Sequence, residues 1–148
     1  MGLEEYKKMR ELAKSPEPEG TVKKGDGNIF VVQEHNATHL HFDLRLEIGG
    51  VLKSWAVPKE PPQEVGVKRL AIQTEDHPVE YAGFEGTIPE GMYGAGSVRI
   101  WDRGEFVPEK IDGKEMLFEL RGSRLSGRYA LIKTKFKRKD SWLFFKRK

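Results

Sequence analysis

A cluster of histidines with a nearby aspartate and arginine carries the clearest chemical signal in this sequence. Three of the four histidines, His35, His39 and His41, fall within seven residues, and Asp43 and Arg45 follow at intervals of two. Alternate side chains of a β-strand share one face at a spacing of about 7 Å, so His41 and Asp43 can reach one ion. With His35 at the end of the preceding predicted strand, the set suits a divalent cation such as Mn²⁺ or Zn²⁺.

Phosphate-binding groups lie beside this predicted metal site. Arg45 follows on the same strand face, and a guanidinium presents a planar fork of donors that matches phosphate oxygens. Further along, the stretch TEDHPVEY supplies Glu75, His77 and Tyr81. The proline after His77 predicts a loop where the imidazole can meet a substrate.

The same residues also fit an ordinary surface. His41, Asp43, Arg45 and Glu47 form the polar side of an amphipathic strand, and such a side is commonly solvated, with cross-strand charge pairs. Spacing alone does not say which histidines bind metal, because His39 has the same orientation as His41.

The elements that must position these groups are short strands. Residues 39–48 alternate strictly between apolar and polar side chains, which indicates a strand with one buried face. Further strands are predicted at residues 29–35, 51–57, 69–75, 97–101, 116–121, 128–133 and 141–146, with turns at 49–50, 102–104 and 122–127. A helix over residues 3–14 should end before two prolines, and residues 83–96 form a glycine-rich loop. This pattern favours a mainly β barrel or sandwich with Trp55, Trp101 and Trp142 in its core.

Composition narrows the class of protein. The chain has 148 residues, 33% of them charged, and no cysteine, which excludes disulfides, thiolate nucleophiles and Cys-ligated metals. The N-terminus lacks an apolar signal core and no apolar run is long enough for a membrane helix, so we expect a soluble, cytoplasmic protein without a membrane partner. The last sixteen residues hold eight basic residues and one acid. Such a segment either attracts phosphate backbones or only solubilises the chain.

Taken together, three stretches resemble the 3′-phosphoesterase domain of bacterial DNA ligase D, which works in non-homologous end joining. They are FVVQEHNATHLHFDLRLEIGGVLKSWAVPKEPP, KRLAIQTEDHPVEYAGFEGTIPEGMYGAGSVRIWDRG and GRYALIKTK with SWLFFKRK. The resemblance covers nearly the whole chain from about Glu17 onward. It implies one phosphoesterase domain over residues 1–148, as a stand-alone member of the family. It also implies a closed or nearly closed β-barrel of about eight strands, with a short N-terminal helix and the active site on the outer barrel surface.

The resemblance also assigns residues. It implies that His35, His41 and Asp43 are the metal ligands and that His39 has no functional role. It further implies phosphate contacts for Arg45, His77 and Tyr81, basic positions near the phosphate for Lys59 and Arg69, and a phosphomonoesterase role for Glu75. Arg10 and Glu17 would match an acid/base cluster of the family.

The implied reaction is end healing that depends on Mn²⁺, with Zn²⁺ or Co²⁺ as other candidate ions. The enzyme would remove a 3′-terminal ribonucleoside and then the 3′-phosphate from primer–template DNA, leaving a 3′-hydroxyl, and a separate DNA ligase would be a repair partner. Either His77 or Tyr81 would donate the proton to the leaving oxygen.

Two other readings remain open from the sequence. A cupin-type barrel enzyme would use His39, His41 and Glu47 at a metal site inside the barrel, and would leave Arg45 and the His77 segment without roles. A non-catalytic nucleic-acid-binding barrel would use only the basic segment.

Overall fold

The computed structural model describes residues 3–11, 28–135 and 140–148, and these residues form a closed β-barrel with one short helix. The elements are α1 (Glu4–Glu11), β1 (Ile29–Asn36), β2 (Leu40–Ile48), β3 (Val51–Val57), β4 (Lys68–His77), a 3₁₀ helix (Val79–Gly83), β5 (Gly86–Ile88), β6 (Gly96–Ile111), β7 (Glu115–Gly122), β8 (Ser126–Thr134) and β9 (Ser141–Lys146). None of the helices in the described part of the chain is long and apolar enough to cross a membrane.

Eight antiparallel strands close the barrel in the order β1-β2-β3-β4-β9-β8-β7-β6, and β6 returns to pair with β1. The ninth strand, β5, adds to β6 outside this ring. The prediction of a mainly β barrel of about eight strands with a short N-terminal helix is therefore confirmed. The β2–β3 hairpin turns at Gly49 and Gly50, both with positive φ, as a tight two-residue hairpin requires.

The barrel interior is filled by apolar side chains. Phe42, Leu44 and Leu46 point inward from β2, and Trp55, Trp101 and Trp142 join the same core, as the sequence predicts for the three tryptophans. These even-numbered positions of β2 confirm the period-two pattern. Among the described residues this interior cluster is apolar, which disfavours the internal metal site of a cupin-type barrel.

The outer face of β1, β2 and β3 is buried as well, by a second core. Leu3, just before α1, packs over Val31 and Leu52 together with Tyr6 of α1 and Tyr81 of the 3₁₀ helix. As a result Asp43, Arg45 and Glu47 are buried although they point out of the barrel. The alternation in β2 predicts only one buried face, because it carries no information about elements that dock from elsewhere in the chain.

The turn predicted at residues 102–104 is wrong, because these residues lie inside the long strand β6. Gly104 is a point of close approach between strands, where an added Cβ would lie 2.1 Å from the carbonyl oxygen of Arg121. Asp102 accepts backbone N–H groups from Ser123, Arg124 and Leu125 and so holds the β7–β8 turn. Glycine and aspartate are both common in turns. Here Gly104 allows two strands to approach closely, and Asp102 stabilises a turn elsewhere in the chain.

The other sequence boundaries agree with the structure to within a few residues, except that β6 is much longer than predicted. The strand at residues 86–88 inside the glycine-rich segment was not predicted. Three predicted features lie outside the described residues. They are Glu17, residues 12–14 of the predicted helix and positions 136–139 of the basic segment.

Candidate active site

Two imidazoles and one carboxylate meet where β1 and β2 come together. His35 of β1 is the register partner of His41 of β2, and Asp43 follows two residues later on the same face. His35 Nδ1 lies 3.5 Å from Asp43 Oδ2, and His41 Nε2 lies 3.3 Å from Asp43 Oδ1. One ligand atom from each residue falls within 4.8 Å of the other two, so the three side chains could hold one metal ion.

Backbone carbonyls fix which imidazole nitrogens face this ion site. His35 Nε2 lies 2.8 Å from the carbonyl oxygen of Gly94, and His41 Nδ1 lies 3.2 Å from that of His39. Each of these nitrogens donates its hydrogen to the carbonyl. The opposite nitrogen therefore carries the lone pair available to an ion when the imidazole is neutral, and donates to Asp43 when the imidazole is protonated. Metal-ligating histidines in proteins typically donate their second N–H in this way. The donor set therefore fits a divalent ion that accepts nitrogen and oxygen ligands.

The charge state of the carboxylate also suits a cation. Burial alone would raise the pKa of Asp43. The Arg45 guanidinium and the two imidazoles outweigh burial, and together they hold this pKa well below its ordinary value. The hydrogen bond with Asp43 raises the pKa of His41, against the opposing effect of burial. Asp43 is therefore ionised at neutral pH.

Arg45 is held by a rigid frame of buried polar groups. Its Nε donates to Gln33 Oε1 over 2.7 Å and its Nη1 to Ser54 Oγ over 2.9 Å, while Nη2 lies 3.4 Å from Asp43 Oδ2. The guanidinium also stacks over the Tyr81 ring at 4.8 Å. These contacts already use much of the fork, so Arg45 can turn only its remaining N–H groups toward a phosphate.

His77 is the last residue of β4 and is buried beside Arg45, so the loop that the following proline predicts for it is wrong; the chain leaves the strand only after His77. Its Nδ1 lies 2.9 Å from the carbonyl oxygen of Glu75 and 3.3 Å from Arg45 Nη1, and Nε2, on the other side of the ring, lies 3.9 Å from Glu75 Oε2. The ring contacts Tyr6 of α1 and Tyr81 edge-on, at centroid distances of 5.0 and 4.7 Å. The second core therefore fixes the orientation of this imidazole.

One cleft of about 200 Å³ joins these groups. Of the residues that the sequence assigned to the site, those lining the cleft are His35, His41, Asp43, Arg45, Glu75, His77 and Tyr81. Lys59 and Arg69 are not among the lining residues; Lys59 is exposed, and Arg69 Nε donates to the carbonyl oxygen of Glu60. His39 is exposed in the turn before β2. The side chain of Arg10 and all of Glu17 lie outside what the structure describes.

Sequence reasoning missed several residues of the site. Gln33 orients Arg45, and its amide donates to the carbonyl oxygens of Tyr81 and Phe84. Tyr93 and Gly94 reach the cleft from the glycine-rich segment, which the sequence indicated only as a loop. The sequence signal for Gln33 was a polar residue directly after the apolar run IFVV of β1.

Comparison with known proteins agrees with this geometry. Residues 33–133 match the family described as the DNA ligase D 3′-phosphoesterase domain. This chain belongs to that family. Residues 33–133 include every side chain described above for the metal and phosphate groups except Tyr6.

Long end-joining proteins contain similar stretches. The chain is 54% identical over 147 residues to the multifunctional non-homologous end joining DNA repair protein LigD of Mycobacterium tuberculosis, covering 95% of this chain and 19% of that protein. It is 47% identical over 155 residues to the LigD protein of Pseudomonas aeruginosa, covering 99% of this chain and 18% of that one. The chain thus spans about a fifth of the length of these relatives. Membership of this family indicates a phosphoesterase as the general class of function.

Proposed function

We propose that this chain is a divalent-metal-dependent phosphoesterase that heals the 3′ ends of nucleic acid strands. It removes a 3′-terminal ribonucleoside as a phosphodiesterase and a 3′-phosphate as a phosphomonoesterase, and it leaves a 3′-hydroxyl. The observation that carries this proposal is the joint placement of the ligand set and the Arg45–His77 pair in one cleft. We propose that residues 1–148 act as one such domain.

His35, His41 and Asp43 would hold the ion, for which Mn²⁺ is the first candidate and Zn²⁺ or Co²⁺ are others. When bound, such an ion polarises a phosphoryl oxygen and stabilises developing negative charge. Arg45 binds a phosphate oxygen through the Nη hydrogens that its protein partners leave over. Its buried frame keeps these hydrogens in place, which favours stabilisation of the transition state.

His77 Nδ1 faces the Glu75 carbonyl and Arg45 Nη1 inside the protein, so Nε2 is the nitrogen that meets the substrate. From this position it binds a phosphoryl oxygen or gives a proton to the leaving oxygen. Glu75, whose carboxylate lies 3.9 Å from Nε2, stabilises the charged imidazole in that step. Tyr81 supports Arg45 and His77 through its ring contacts.

Lys59 and Arg69 lie outside the lining of the cleft, so a role for them would be contact with phosphates further along the strand. The substrate would be a primer–template end with a 3′ ribonucleotide or a 3′-phosphate, in end joining together with a separate DNA ligase. The proposed substrate and the proposed ligase partner extend what the relatives' names say about end joining.

Primers ending in a 3′-phosphate or a 3′-ribonucleotide, incubated with and without Mn²⁺, test the proposal directly. We expect phosphate and nucleoside release that depends on the ion. Asp43→Ala should lose nearly all activity, whereas His39→Ala, a histidine only four residues away on an exposed turn, should keep most of it. A protein that binds these primers tightly but releases nothing with any divalent ion would instead favour a non-catalytic binding barrel.

A further inference from the structure

Tyr93 is an exposed aromatic side chain at the mouth of the cleft. It is 45% exposed, one of three large hydrophobic residues in the described part of the chain with such exposure, and it lines the same cleft as the metal and phosphate groups. The other two, Leu40 and Val65, are not among the lining residues.

The loop around Tyr93 is built to present this ring. Gly91 and Gly94, on either side, adopt positive φ angles of 86° and 76°. Two successive turns close the loop through Met92 N to Pro89 O and Ala95 N to Met92 O. The Tyr93 hydroxyl donates to Glu75 Oε1 over 3.3 Å, which ties the exposed ring to the edge of the cleft.

The size of the cleft limits what it can enclose. Its volume of about 200 Å³ is below the roughly 300–1,000 Å³ of pockets that enclose a whole drug-sized ligand. A phosphoryl group at Arg45 and His77 therefore leaves the attached nucleoside at the rim. The lining also includes the apolar side chains of Ile88 and Ala37. A nucleobase has two apolar faces and stacks on aromatic rings without regard to its sequence.

We propose that Tyr93 is the stacking platform for the base of the 3′-terminal nucleotide and sets the preference for ends that carry a base. This rests on the proposed function of the cleft and adds the contact that recognises the nucleoside. The hydroxyl bond to Glu75 holds the ring in place before the substrate arrives, so little rotamer entropy is lost on binding.

Two 3′-phosphate primers test the platform, one with a normal terminal nucleotide and one with an abasic terminal sugar. In the wild type, loss of the base should raise KM by about 10- to 100-fold, the range expected for one stacked base. In Tyr93→Leu, KM for the normal primer should rise to nearly that of the abasic primer. The turnover number at saturation should equal that of Tyr93→Phe, which also loses the bond to Glu75, because stacking is equal in the ground and transition states.

Tyr93→Phe keeps the ring but loses the hydroxyl bond to Glu75, so its ratio of the two KM values should lie between those of the wild type and Tyr93→Leu. Val65→Ala, which removes an exposed apolar side chain away from the cleft, should keep the wild-type ratio. A terminal 2-aminopurine in the 3′-hydroxyl product strand gives a readout independent of activity. Its fluorescence should be quenched on binding to the wild type and to Tyr93→Phe, and not on binding to Tyr93→Leu.

The outcomes separate the two proposals. If the wild type releases phosphate from both primers with equal KM, or if Tyr93→Leu keeps the wild-type ratio, the platform is overturned while the phosphoesterase function stands. If no phosphate is released but 2-aminopurine is quenched in a Tyr93-dependent manner, the platform stands and the phosphoesterase function is overturned.

Discussion

Replacing Arg45 with lysine tests the buried frame behind the cleft. The change keeps a positive charge on β2 but removes the planar guanidinium. Arg45 reaches Gln33 through Nε, Ser54 through Nη1 and Asp43 through Nη2. One ammonium group at the end of an unbranched chain cannot occupy three such positions at once. We therefore expect both stability and turnover to fall.

The size of the effect follows from burial. Gln33 and Ser54 are both fully buried, at 0% exposure. A buried polar group that loses its partner costs about 1–3 kcal/mol, so the free energy of unfolding should fall by about 2–6 kcal/mol if both are lost. This is a large part of the roughly 5–15 kcal/mol available to a typical domain. Loss of one well-placed donor to a developing oxyanion typically lowers kcat by about 10²- to 10³-fold.

Urea denaturation and steady-state kinetics on the 3′-phosphate primer measure the two effects separately. Kinetics should be run at a temperature where circular dichroism shows that the variant is folded. Arg121→Lys is the matched control. Arg121 lies on an exposed part of β7 and forms ion pairs with Glu105 of β6 and Glu119 of β7. This substitution should change neither quantity measurably. Near-normal turnover of a folded Arg45→Lys protein would refute the role of the guanidinium.

Three further predictions concern pH and salt. The affinity for Mn²⁺ should fall as the pH is lowered, because ligation needs a neutral imidazole and the hydrogen bond with Asp43 raises the pKa of His41. Calorimetric titration with Mn²⁺ at several pH values checks this, and an affinity that does not change with pH would contradict it. Burial raises the pKa of Tyr129 to about 12. The folded protein therefore holds this proton more tightly than the unfolded chain, and stability present below about pH 10 should be lost towards about pH 12, by up to about 2–3 kcal/mol. Tyr129→Phe should flatten this loss in urea denaturation, and an unchanged slope would refute the assignment. Neutralising the basic residues at 135 and 137–139 should raise KM for a long primer and weaken its salt dependence with little change in kcat; an unchanged KM at two salt concentrations would show that this segment does not hold the strand.

The sequence predicted well what depends on local pattern. The alternation along β2 places Phe42 and Leu44 in the core and Asp43 on the other face, as the structure has them. The Gly49–Gly50 turn follows from the backbone angles that only glycine adopts easily. The metal ligands on β2 lie within this local pattern, whereas the choice of His35 over His39 depended on the family resemblance.

What the sequence could not predict depends on contacts between distant segments. The sequence predicted that Arg45 contacts phosphate from an open strand face, because nothing in its own strand shows that Gln33 and Ser54 on the two neighbouring strands bind it. Tyr6 lies far from His77 along the chain, yet the two rings are 5.0 Å apart. Gly104 was read as a turn residue because close strand approach and turn formation both select glycine.

The order of strands around the barrel has a consequence for synthesis of the protein. Every residue lining the cleft lies at or before Gly94, but β4, which carries Glu75 and His77, pairs on its other side with β9, which begins at Ser141. At roughly 5–20 residues per second, the ribosome releases the cleft residues seconds before the strand that completes their sheet. We expect a nascent chain to be inert toward DNA ends until β9 has been made. A product truncated before β9 would expose the unpaired edges of β4 and β8, which are templates for aggregation.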